Sequence, residues 1–260
     1  MTLLLEAIDA RGVATLTLNR PDRHNAFDDA LIAELNATLA RLAVDPKVRV
    51  VVLASTGGSF SAGADLGWMK RMATQSQAAN EADAAQMAKL MHALDRLPKP
   101  TVALVQGNAY GGGVGLVACC DIAIGTPAAR FCLSEVKLGL TPATISPYVI
   151  AAIGPRQARR LFLTAEVFSA ETAQNIGLLH QVVPEPELAA TGEAVVASLL
   201  RNAPGAIAAA KDLVFLAEGR PVDAALSAET SRRIAERRAS EEGREGIGAF
   251  LEKRKASWVI

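Results

Sequence analysis

Residues 101–125, TVALVQGNAYGGGVGLVACCDIAIG, hold the plan of the fold in one stretch. TVALV is a continuous apolar run rich in β-branched residues, the signature of a strand buried on both faces. GNAYGGG breaks that run with glycines, and VGLVACC forms a short apolar helix leading into a further strand, DIAIG. The same order occurs upstream. VRVVVLAS (48–55) is a buried strand, STGGSFSAGADLG (55–67) is a Gly/Ser-rich loop, and a helical region rich in Ala, Gln and Met runs from about Trp68 to Leu97, where Pro98 and Pro100 end it. Two passes through strand, glycine loop and helix predict an α/β architecture of repeated crossover units.

The flanks fit this plan. VATLTL, from Val13 to Leu18, alternates as a half-buried strand, and RPDRHNA (20–26) supplies loop chemistry. Asp28 to Leu42 sets Leu31, Leu35, Leu39 and Leu42 at helical spacing, with acids where the helix dipole favours them. Beyond Arg201 the texture changes. Pro204 to Arg254 is helix-forming throughout, and Ser231 to Arg254 alternates both charges, the pattern of a solvated or inter-subunit helical appendage. The expected organisation is a core domain over residues 1–200 and a C-terminal helical region over 201–260.

Charge is unevenly spread. The 27 Lys plus Arg balance the 27 Asp plus Glu, yet Thr101 to Ala152 holds only Asp121, Arg130, Glu135 and Lys137. The chain average of 21% charged would place about eleven charges there. A neutral balance without a basic block offers no footprint for a phosphate backbone, so nucleic acid is not an expected partner. No apolar run reaches the length of a membrane span, and the first residues carry Glu6 and Asp9 rather than a basic leader, so a cytoplasmic protein without membrane association is expected. Cys119, Cys120 and Cys132 show no CxxC or Cys/His grouping, so they are expected as small core residues, and no metal is expected.

Hydrolase and dinucleotide chemistry are poorly supported. No GxSxG elbow is present, and His24, His92 and His180 have no triad spacing. Gly113, Gly115 and Ala118 formally satisfy GxGxxA, but about a hundred residues precede them and the following helix is too short for the usual crossover. More informative are two glycine loops, SFSAGADLGW and NAYGGGVG, followed by one isolated acid, Glu135. Backbone N–H groups from two such loops can converge on a carbonyl oxygen that becomes an enolate oxyanion. Glu135 is the only Glu in the charge-poor stretch. In apolar surroundings it would gain proton affinity and serve as a general acid or base; on a surface it would simply pair with Lys137 or Arg130.

FSAGADL, YGGGVGLVACCDIAI, FCLSEVKLGLTP and the closing FLEKRKASW together resemble the enoyl-CoA hydratase/isomerase (crotonase) superfamily, in order and over essentially the full length. The resemblance implies a crotonase-like spiral of ββα units with a C-terminal helical region, assembled as a homo-oligomer, a trimer or a dimer of trimers. It implies acyl-CoA thioester substrates and no separate cofactor, since coenzyme A is part of the substrate. By position, the Ala64 and Gly112 amides would form the oxyanion hole and Glu135 would be the catalytic acid/base. Arg23, His24 and Ala26 would touch the CoA nucleotide, Ala62 would join the CoA-binding set, and Asp65 and Leu66 would border the adenine and pantetheine channel. Lys253, in the basic terminus, would reach the CoA phosphates, in some relatives from a neighbouring subunit.

One departure stands out. Typical hydratases of the family carry a second glutamate three residues beyond the oxyanion glycine, where this chain has Gly115. A single carboxylate would have to serve both proton transfers, with Ser134 or Thr141 as candidate water-orienting groups. It also suits a Δ3,Δ2-enoyl-CoA isomerase, which binds no water, and a non-catalytic acyl-CoA-binding homologue would lack the second acid too. The finer resemblance of GGGVGLVACCDIAI and LSEVKLGLTPATISPYVIAAIG is to bacterial methylglutaconyl-CoA hydratases of leucine catabolism and to isohexenylglutaconyl-CoA hydratases. It implies a hydro-lyase acting on a branched, 3-methylglutaconyl-like enoyl-CoA. Gly115 is accordingly expected to open volume beside a branched acyl chain.

Overall fold

The computed structural model describes residues 2–259. β1 (Leu4–Ile8) and β2 (Val13–Leu18) form an antiparallel hairpin, and α1 (Asp29–Val44) follows. The Asp28 carboxylate caps α1 by accepting from Leu31 N at 2.9 Å, satisfying one orphan donor of the first turn. Leu31, Leu35, Leu39 and Leu42 are all buried, as their spacing predicts.

Three units then repeat one motion. β3 (Val50–Ser55) leads to β4 (Ser59–Ser61), followed by α2 (Leu66–Met72) and α3 (Gln77–Asp95). β5 (Thr101–Val105) leads to β6 (Asn108–Tyr110) and α4 (Gly112–Cys119). β7 (Ile122–Gly125) leads to β8 (Arg130–Cys132), a 3₁₀ turn at Glu135–Leu138 and α5 (Ser146–Thr164). In each unit the first strand enters one sheet and the second strand enters another. β2, β3, β5 and β7 lie side by side and parallel, while β4, β6 and β8 form a second parallel set. This is the expected spiral of ββα units. β9 (Phe168–Ser169), α6 (Ala170–Asn175) and β10 (Gln181–Val182) close the sheet edges, β10 beside β7 and β9 antiparallel to β8.

α7 (Glu185–Leu200) covers the outer face of the larger sheet, where Leu188, Val196 and Leu200 pack on Val50, Val52, Val102 and Ile124. The alternate residues Val51 and Leu53 turn inward to the main core with Phe27, Phe60 and Phe131. α8 (Pro204–Ala217), α9 (Ala224–Ala239) and α10 (Glu241–Leu251) complete the C-terminal helices. The Arg49 guanidinium ties them to the core, donating to the carbonyls of Leu200, Asn202 and Trp258 at 2.7–2.9 Å.

Two expectations need adjustment. The helical region from Trp68 to Leu97 is two helices, because the Ser76 hydroxyl accepts from Ala79 N and starts a new one after a turn at 73–76. The two glycine-rich loops also contain strands, β4 and β6, of three residues each, too short to show a period. Cys119, Cys120 and Cys132 are buried free thiols. Among the described residues no helix is long and apolar enough to cross a membrane, and no group of three or more His, Cys, Asp or Glu side chains is placed to hold a metal ion.

Candidate active site

The carboxyl ends of parallel strands are where α/β folds place their chemistry. Here β4, β6 and β8 are neighbours, with Ser61 beside Ala109 and Tyr110 beside Cys132, so the segments leaving them emerge together. Those segments carry Ala64, Gly112 and Glu135.

Ala64 is held by a parallel bridge to Phe27. Phe27 N donates to Gly63 O at 2.6 Å and Asp65 N donates to Phe27 O at 2.7 Å. That pairing consumes the groups on either side of Ala64 and turns its own N–H the other way. Gly63 has φ +84°, and a Cβ there would lie 2.8 Å from Tyr110 O, so only glycine lets the two loops meet.

Gly111 (φ +50°, ψ −119°) makes the turn out of β6, its N–H donating to Cys132 O at 2.9 Å. Gly112 then opens α4 with an unpaired first-turn N–H, at the positive end of the helix dipole. A Cβ on Gly112 would lie 2.6 Å from Met87 Cε and 2.9 Å from Phe27 Cε2, so these two apolar side chains wall the turn.

Glu135 starts the 3₁₀ turn after β8 and is half-buried. Its Oε1 would lie 3.1 Å from a Cβ on Gly111, and its Oε2 is buried with no hydrogen-bond partner among the described residues. Burial pushes the Glu135 carboxyl above its ordinary pKa, against a smaller opposing backbone hydrogen bond. The alternative of a surface ion pair is not realised. Arg130 instead donates to the carbonyls of Pro127 and Ala129, and no ion pair links Glu135 to Lys137. Two free N–H groups and an unpaired carboxyl can together bind a carbonyl oxygen and move a proton beside it.

The loop expected to touch the CoA nucleotide lies against the same strands. His24 is exposed with φ +50°, and its Nδ1 is 3.2 Å from Ser59 Oγ; Ala26 is buried; Ala62 N donates to His24 O at 2.9 Å. Asp65 is buried, and its carboxylate is fully occupied, capping α2 through Gly67 N and Trp68 N and pairing with Arg20 at 3.3 Å. Burial opposes its charge, but those two amides and Arg20 outweigh burial and hold the carboxyl below its usual range. Leu66 is 81% exposed and free to border a channel. Arg23 is exposed, and among the described residues its guanidinium pairs with Asp22, at 3.8 Å.

Lys253 makes no side-chain hydrogen bond or ion pair with these residues. It follows α10, which packs on α8 and α9, and the segment beyond it is held by Trp258 Nε1 donating to Arg201 O. Gly115 requires a correction. The open volume expected at Gly115 is not there, because a Cβ in that position would lie 2.3 Å from Ile145 Cγ2 and 3.2 Å from Met91 Sδ. Of the two candidate hydroxyls, Ser134 directly precedes Glu135 and makes no side-chain cap bond, and Thr141 is exposed. A cleft of about 680 Å³ lies elsewhere, at the far end of α4 between Cys119–Asp121 and Lys211 of α8.

Two organising residues escaped the sequence reading. Asn25, fully buried with φ +54°, donates through Nδ2 to the carbonyls of Thr56 and Ser59 and accepts from Arg20 N, each at 2.8 Å. Arg20 ties Ala26 O, Asp28 and Asp65 together. The signal was available, since asparagine tolerates the left-handed conformation and binds nearby backbone in loops.

The sequence model of the enoyl-CoA hydratase/isomerase family matches residues 9–259. The chain is 34% identical over 249 residues to a short-chain-enoyl-CoA hydratase of Clostridium acetobutylicum, covering 94% of this chain and 92% of that protein. It is 33% identical to the 2,3-dehydroadipyl-CoA hydratase of Escherichia coli, covering 93% of each. The crystal structure of an enoyl-CoA hydratase from Shewanella pealeana superposes with a TM-score of 0.96 at 45% identity, over 99% of this chain and 96% of that one. With nearly the whole length matched in sequence and in fold, the chain belongs to the enoyl-CoA hydratase/isomerase family.

Proposed function

We propose that the protein is a hydro-lyase that adds water across the 2,3 double bond of a branched, 3-methylglutaconyl-like enoyl-CoA. The observation that carries the chemistry is Glu135, a half-buried carboxyl that forms no ion pair among the described residues, near two loop amides that have no partner among them. The hydratase relatives support hydration. The branched acyl chain rests on the resemblance of the segments around Gly112 and Glu135.

In this reading the Ala64 and Gly112 amides donate to the thioester oxygen and stabilise the negative charge that collects there as the enolate forms. Glu135 accepts a proton from water as the water oxygen bonds to Cβ, then returns a proton to Cα, leaving the 3-hydroxyacyl thioester and the carboxylate as it began. Binding energy from the CoA moiety, through the His24 and Ala26 loop and Arg23, holds the acyl group in reactive geometry. Lys253 would join the CoA phosphates from a neighbouring subunit of a trimer or a dimer of trimers.

The single carboxylate favours a second reading, Δ3,Δ2-isomerisation, in which Glu135 carries one proton between carbons. Absorbance of the conjugated enoyl thioester separates the readings. Hydration bleaches it, isomerisation of a 3-enoyl substrate raises it, and a non-catalytic acyl-CoA binder leaves it unchanged.

A further inference from the structure

Gly115 lies one helical turn beyond Gly112, on the α4 face that presents the Gly112 amide. It is the place on α4 from which a side chain could reach the same reacting atoms. That place is filled. An ideal Cβ on Gly115 would fall 2.3 Å from Ile145 Cγ2, 2.9 Å from Ile145 Cβ and 3.2 Å from Met91 Sδ, and close-packed atoms do not approach so nearly. Ile145 is 2% exposed, stands at the residue before α5 without a side-chain cap bond, and ends the connection that Glu135 begins. Met91 is fully buried and is packed in turn against Cys119, 3.6 Å sulfur to sulfur. Both neighbours are buried, so a shift of either disturbs the core around it.

We propose that Ile145 is a positioning residue that bars a second carboxylate of α4 from the reacting carbons beside Glu135. It occupies the space a second carboxylate on α4 would need, and by seating the Glu135 connection against α4 it fixes the carboxyl relative to the Gly112 amide. This inference rests on the reading of Ala64, Gly112 and Glu135 as the site. It makes Gly115 and Ile145 a matched pair, so that a side chain at 115 is accommodated only when the one at 145 is reduced.

Two comparisons test it. In the first, Gly115→Ala is made in the wild-type chain and in an Ile145→Gly background, glycine being well tolerated at a helix N-cap. In the wild-type chain the added Cβ overpacks the contact and lowers Tm by roughly 5–10 °C. In the Ile145→Gly background the same change raises Tm, because alanine is the better helix former once the clash is gone. An equal loss of Tm in both backgrounds would overturn the proposal.

In the second comparison, the pH dependence of turnover is measured for Ile145→Gly and for Gly115→Glu/Ile145→Gly. Ile145→Gly alone keeps a single ionisation, with kcat lowered and KM near the wild-type value. The double variant gains a second ionisation, since two nearby carboxylates titrate as a coupled pair. A folded double variant with one unchanged ionisation would equally overturn it. Failure of the site reading is seen separately, as wild-type turnover that does not depend on Glu135, while the Tm comparison stands without any assay of activity.

Discussion

Glu135→Gln removes one ionisable oxygen and almost nothing else. The side chain keeps its length, and Oε2 has no hydrogen bond to lose among the described residues. A positioned acid or base contributes 10²–10⁴-fold, and one carboxylate serving both proton transfers places the expected loss of kcat near ~10⁴, or about 5 kcal/mol of barrier. Affinity for a saturated acyl-CoA stays within about threefold, because the loop amides and the CoA contacts are untouched. Stability moves in the opposite direction to activity. Burial raises the folded-state pKa of Glu135 above its unfolded value, so the fold loses stability as pH rises through that folded pKa. Glutamine carries no charge to disfavour, so the variant melts at or above the wild-type temperature at pH 7, and the difference closes in acid, where Glu135 is protonated in both states. The assays are enoyl thioester absorbance, calorimetric titration with acyl-CoA, and thermal melts across the acid range. Turnover within tenfold of wild type would refute the catalytic role, and a variant that melts below wild type at every pH would show a stabilising contact of the carboxylate.

Gly111→Ala puts a methyl group 3.1 Å from Glu135 Oε1 at a position with φ +50°, so it should cost about 1–3 kcal/mol of stability and lower kcat more than it raises KM, measured by denaturant melts and initial rates. Asn25→Ala should cost roughly 2–3 kcal/mol by leaving the buried carbonyls of Thr56 and Ser59 without their donor, and should raise KM for the CoA ester by loosening the His24 loop against β4, read by the same two measurements. The acid limb of kcat/KM should fall as Glu135 takes up a proton, at a pH above the ordinary carboxylate value of about 4.3, because burial raises that group. A limb at or below that value would contradict the half-buried base.

The large elements were legible because they are long enough to carry a period or a continuous apolar run. The leucine spacing of α1 and the buried strands β3, β5 and β7 are of this kind; at the site the pattern alone gives two glycine loops after strands and the isolated Glu135, while the choice of the Ala64 and Gly112 amides comes from the family resemblance. β4, β6 and β8 were hidden because three residues define neither periodicity nor register, and their pairing is settled only when the spiral sets them side by side. Gly115 shows a different limit. A missing side chain reads as empty space in a sequence, whereas Ile145, thirty residues further on, fills that space in the fold. Asp65 shows the converse, a carboxylate expected at the ligand channel whose oxygens are already bound to the start of α2 and to Arg20.

Incubation with a 3-methylglutaconyl-like enoyl-CoA, crotonyl-CoA and a 3-enoyl-CoA in parallel, with product masses read for each, tests hydration of a branched substrate most directly. A product heavier by one water, formed fastest from the branched substrate, loss of the conjugated absorbance, and abolition of both by Glu135→Gln are the expected result. Conversion of the 3-enoyl ester at unchanged mass, with no water added to either conjugated substrate, would contradict it.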